Sequence, residues 1–361
     1  MIFSRRTLSL VLTAVVAFAP IPWLISSSST SEVAASPGLS ALSVELVACE
    51  DYACADEVVR KATTPDVALT AIAAAVKARP ADFALWCHSL AHDVGHNAAA
   101  ANPDPLSLFS LRYSCMGGFW HGLLSDAGTR LEPAVLRSRL IPQCSTLVEG
   151  SILRFDCYHG LGHAVAQEAV DFASAFSACD MDGIAGQDAM NCATGAATVV
   201  AQRAAGFSEH GKDDVLPVSD KFSPCFKLSH EKECSERSPL IWYSSSMTTE
   251  EALAGCDKAT SKTTLAPDVA AEACGFGVAR ATSGKETKEL WPVLQKLCSS
   301  FGKYSTGCVK GVLFDIVPIL QLKNDEASPC PVLAPSGPLN ETCKTYETER
   351  RNLEWTGSQL S

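Results

Sequence analysis

Aromatic residues are scarce, at 7% of the chain. That is thin for a β-sandwich, whose strands draw on them. Positive charge is also short: 29 Lys and Arg stand against 40 Asp and Glu, for a net charge of −11. This argues against a nucleic-acid partner, because phosphate binding needs a clustered positive field. No GxxxxGK[ST], no GxSxG and no GxGxxG opening a strand–helix unit occurs, so the common nucleotide and serine-nucleophile signatures are missing. There is no CxxC pair and no CxxCH. The first absence speaks against a tetrathiolate zinc or iron–sulfur site, and the second removes covalent c-type haem. Charged residues are only 19% and hydrophobic ones 47%, so the composition is that of a folded chain with a core to bury.

What is present begins with a targeting segment. A short basic start, MIFSRRT, precedes an 18-residue run at 8–25 that is apolar but for Ser9 and Thr13. Residues 1–35 read as a signal peptide or an N-terminal membrane anchor. Cleavage after Ala35 is one outcome; retention, with residues 8–25 as the only membrane contact, is the other. Either places the chain outside the cytoplasm: secreted, periplasmic or at the cell surface. All 16 cysteines follow residue 48, and an even count in an exported chain reads as disulfides.

The cysteines mark an internal repeat. Five open the pattern Cys-x-x-Gly before an apolar stretch, at Cys115, Cys157, Cys192, Cys274 and Cys308. Most follow a cysteine that closes an earlier amphipathic segment, such as Cys144, Cys179, Cys256 and Cys298. The expected unit is a hairpin of two helices stapled across its loop, roughly 35 residues long. Such a hairpin cannot bury its apolar face alone, so units stack. The expected fold is all-α, made of disulfide-stapled helical-hairpin repeats in a short solenoid-like array. Pairing neighbours gives Cys144–Cys157, Cys179–Cys192, Cys256–Cys274 and Cys298–Cys308. The same rule adds Cys49–Cys54, Cys87–Cys115, Cys225–Cys234 and Cys330–Cys343. The expected organisation is a linker at 36–49, His-rich repeats at 50–205, a polar loop or insertion at 206–247, further hairpins at 248–322 and a Pro- and Cys-containing tail at 323–361. Asn340-Glu-Thr342 matches a glycosylation sequon.

Six of the eight histidines fall between residues 88 and 163. His88, His92 and His96 are spaced four apart, as are His159 and His163, and His121 stands alone. The motif His-x-x-Gly-His occurs twice, at 92–96 and 159–163. Four residues apart on a helix share a face, which lets two imidazoles bind one metal ion. The later repeats carry Thr194, Phe276 and Lys310 where the Cys157 unit has His159, so the scaffold does not require histidine there. The expected centre joins His92, His96, His159 and His163, completed by His121 or His88. Imidazole suits zinc, copper or iron, and bis-histidine b-type haem is a lesser alternative. Asp93 occupies the place of the glutamate in a His-Glu-x-x-His zinc-peptidase motif, but the second copy has Gly160 there. Asp93 and Glu168 are weak candidates for a catalytic carboxylate. Two functions follow. One is an extracytoplasmic metalloprotein built on the two His-x-x-Gly-His motifs. The other is a disulfide-rigidified scaffold for a protein or peptide partner, with structural histidines.

Overall fold

Local sequence sets the helix starts. Thr64 lies in extended backbone and its hydroxyl accepts from the Val67 amide, so the chain enters a helix with Pro65 in the first turn, where its missing N–H costs nothing. Asp171 with Ser174, and Thr248 with Glu251, form reciprocal capping boxes. In the computed structural model, residues 40–353 are described, apart from 110–114, 182, 208–214, 245, 284–286, 324 and 326. The signal or anchor expected at 1–35 lies outside these residues.

The described elements are helical, and no strand occurs among the described residues. They are α1 (Ala41–Val47), α2 (Tyr52–Arg60), α3 (Pro65–Ala78), α4 (Pro80–Ala101), α5 (Gly118–Gly128), α6 (Pro133–Ser145), α7 (Ile152–Ala166), α8 (Phe172–Ser177) and α9 (Gln187–Ala204). After these come α10 (Glu231–Ser235), α11 (Pro239–Trp242), α12 (Thr249–Thr260), α13 (Pro267–Ser283), α14 (Thr287–Ser300), α15 (Ser305–Leu322), α16 (Cys330–Leu333) and α17 (Gly337–Arg351). The disulfides are Cys49–Cys54, Cys87–Cys115, Cys144–Cys157, Cys179–Cys192, Cys225–Cys234, Cys256–Cys274, Cys298–Cys308 and Cys330–Cys343. Every bridge joins neighbours along the chain, the pairing that the repeat predicts. By chain entropy, a bridge closing a 13-residue separation, as Cys144–Cys157 and Cys179–Cys192 do, contributes about 3 kcal/mol.

Three helix pairs form the spine: α4 with α5, α7 with α9, and α13 with α15. Each pair is docked backbone to backbone. A Cβ on Gly162 would lie 1.9 Å from the Cys192 carbonyl oxygen, and one on Gly195 would lie 1.9 Å from the His159 carbonyl oxygen. Only glycine fits at either place. Gly95 with Gly122, and Gly275 with Gly307, make the same reciprocal approach in the other two pairs. Between α7 and α9, Arg154 adds a bidentate pair to Asp188, at 2.9 and 2.6 Å.

Several regions carry more structure than expected. The linker at 36–49 contains α1, with Leu46 and Val47 buried. Arg79 holds the end of that segment by donating to the Val47 and Cys49 carbonyls, at 2.7 and 2.6 Å. The insertion at 206–247 contains α10 and α11, packed between α9 and α13. The tail forms α16 and α17, and α17 packs along α15. Helix α15 lies in a stretch long and apolar enough to cross a membrane by length and composition, Gly302–Leu322. Here it is a core helix: Val309, Val312, Leu313 and Ile316 are fully buried.

Candidate metal centre

Helix α5 lies between α4 and α7, touching both. That order decides which histidines meet. His121 on α5 faces His159 and His163 on α7, with ring centres 5.0 and 5.2 Å away, and those two are 4.9 Å apart. One ring nitrogen from each of the three lies within 4.8 Å of the others. All three are buried, at 5%, 7% and 5% exposure. Two imidazoles bound to one tetrahedral ion at about 2.0–2.1 Å per bond have ring centres about 5 Å apart. The triad already has that spacing.

Hydrogen bonds fix how the nitrogens are used. The Thr194 hydroxyl donates to the Asn191 carbonyl, at 2.7 Å. It can therefore only accept from His159 Nδ1, 3.0 Å away. His159 then carries its proton on Nδ1, and its Nε2 is a bare lone pair. That Nε2 lies 3.1 Å from His163 Nε2, so something positive belongs between them: the proton of His163 or a metal ion. His163 Nδ1 meets the buried Ser125 hydroxyl at 3.5 Å. His121 Nε2 is buried with no hydrogen-bond partner, the kind of orphan that calls for a ligand. Asp156, also buried, places Oδ1 3.8 Å from it. The Asp156 carboxylate packs on Gly117, whose φ of +74° opens α5.

Burial, with the neighbouring imidazoles, pushes His121 well below the usual histidine value. Burial followed by His163 does the same to His159. Both stay neutral at ordinary pH, the form that binds metal. Three imidazoles leave a fourth position on a tetrahedral ion for water or substrate. Asp156 is the carboxylate in contact with the triad.

The other candidates lie apart from this group. His88, His92 and His96 continue from it along α4. Ring centres are 5.2 Å from His121 to His88, 6.2 Å from His88 to His92 and 4.7 Å from His92 to His96. The expected pairing of the two His-x-x-Gly-His motifs is thus replaced by one motif plus His121, because α5 stands between α4 and α7. Asp93 accepts from the Tyr52 hydroxyl, at 2.5 Å, on the side of α2. Glu168 is exposed beyond the end of α7. The triad does not fit haem: α5 and α7 approach backbone to backbone where Gly128 meets Ala164, which leaves no slot for a porphyrin plane. Comparison with family models, curated proteins and solved structures gives no match.

Sequence reasoning passed over Thr194 and Ser125. Thr194 is two residues after Cys192, as His159 is two after Cys157. His159 and Thr194 hold the same place in their two units and meet at 3.0 Å across the α7–α9 interface, so position within the repeat was the available signal.

Proposed function

We propose that this chain is an extracytoplasmic metalloprotein that holds one transition-metal ion on His121, His159 and His163. The observation that carries the reading is the His159 Nε2 lone pair facing His163 Nε2 at 3.1 Å, beside a buried His121 Nε2 that makes no hydrogen bond. The bridged cysteines fit an oxidising compartment. Zinc, copper and iron all suit three imidazoles. The ion would polarise a ligand or water at its fourth position, and Asp156 is placed to accept a proton there.

Metal content per chain tests this, comparing wild type with His121→Ala, His159→Ala and His163→Ala. About one ion in the wild type and loss in each variant, with helicity kept by the disulfides, is the expected result. Equal and negligible metal in all four would overturn it. The histidines would then be structural, and the chain a rigid scaffold for a protein or peptide partner.

A further inference from the structure

We infer that His92 and His96 form an outer site that captures the metal ion, and that His88 passes it inward to the triad. The inference rests on the triad reading above. The six imidazoles form one row, and their burial changes along it. His88, His92 and His96 are half-buried, whereas His121, His159 and His163 are buried. An ion reaching the triad from the α9 side would have to part α7 from α9, where Gly162 and Gly195 bring the backbones into contact. The row along α4 avoids that opening.

The spacings suit successive ligand exchange. Imidazoles sharing a tetrahedral ion have ring centres about 5 Å apart. The steps along the row are 4.7, 6.2 and 5.2 Å. The outer and inner steps, His92 with His96 and His88 with His121, have that spacing, and the step between them needs the His88 and His92 rings to swing about 1 Å closer to share the ion. His88 is prepared for the relay. Its Nδ1 donates to the Cys115 carbonyl, 3.2 Å away, which leaves Nε2 as the lone pair. That carbonyl is held in place by the Cys87–Cys115 bridge and belongs to a left-handed run at Cys115, Met116 and Gly117. The glycines that dock α4 on α5, Gly95 and Gly122, keep the two parts of the row in register. Each exchange along α4 makes and breaks only metal–nitrogen bonds, and at the triad the ion takes the place of the proton between His159 Nε2 and His163 Nε2.

Loading kinetics test this. Metal-free full chain is mixed with cobalt(II), whose visible absorption reports tetrahedral coordination. The variant His92→Ala/His96→Ala should fill the triad about tenfold or more slowly than wild type at micromolar ion, because the captured ion no longer presents itself at high local concentration. Final cobalt per chain at the triad, and its spectrum, should be unchanged. His88→Ala should show the same slowing. His96→Gln, one change at a half-buried position, should slow loading less, and it guards against misfolding of the double variant. Loading of the double variant and of His96→Gln at the wild-type rate would overturn the inference. So would loss of the triad's cobalt spectrum in the double variant, which would make His92 and His96 ligands of the inner site. A wild type that takes up no cobalt would instead remove the triad reading itself.

Discussion

The Thr194 hydroxyl accepts the Nδ1 proton of His159 across the α7–α9 interface, because its own proton is committed to the Asn191 carbonyl. One hydroxyl on the neighbouring hairpin thereby sets which nitrogen of His159 is open to a ligand. Thr194→Val keeps the volume and removes the acceptor. Metal affinity should fall about 10–100-fold, the usual cost of losing such a support, while helicity stays as in the wild type. Thr194→Ser should restore it. Competition against a chelator of known affinity measures both.

Gly195→Ala should act on the same residue through the backbone. The new Cβ would lie 1.9 Å from the His159 carbonyl oxygen, and a helix backbone cannot yield cheaply. Overpacking of this kind costs about 1–3 kcal/mol or more. The denaturant midpoint should drop, and metal affinity should drop with it because His159 is displaced. A variant with wild-type stability would mean that α7 and α9 can separate freely.

Acid should act on two histidine groups with opposite signs. His121 and His159 lie well below the usual histidine value, chiefly through burial. The unfolded chain therefore binds more protons once pH falls through about 6.5, and the metal-free fold loses stability from there downward. His230 lies above the usual value: its hydrogen bond to Glu233 raises it, burial opposes, and Asp180 at 2.8 Å adds to the rise. The remaining ring beside it is Phe176. Its contribution is complete below about pH 6.5 and is lost as pH rises through the raised value. Melting temperatures of metal-free protein at about pH 5.5 and about pH 8.5 distinguish the two. His230→Gln should cost more at the lower pH. His121→Gln should instead reduce the acid sensitivity.

The sequon at Asn340 should stay unmodified in the folded protein. Asn340 is only 9% exposed, and its side-chain amide donates to the Ala334 carbonyl. A glycan there would have to displace the turn between α16 and α17. Mass spectrometry of the chain from a glycosylating host should find Asn340 bare.

Short-range features were legible before the fold was seen. Each staple joins consecutive cysteines, so spacing alone named Cys179–Cys192 and its counterparts. Gly195 could be read as a point of close approach because it follows Cys192 by three. The composition of the metal group was less legible. Helical periodicity puts His92 beside His96 and His159 beside His163, but it does not say which helix lies between α4 and α7. That helix is α5, so His121 joins the second pair and the first is left along the row. The role of Thr194 depends on docking across two hairpins, and Asp93 turned to Tyr52 through the packing of α2. Neither could be read from local spacing.

The bridges also bear on how the protein is made. Separations run from 5 to 28 residues, and no bridge encloses or crosses another. A chain that meets an oxidant amino end first can therefore close each bond before the next cysteine pair has emerged. Joining every cysteine to the one just before or after it, in strict order, produces the complete native set. An oxidase that works in this sequential way suffices, and correcting wrong partners through an isomerase becomes a repair step instead of a requirement.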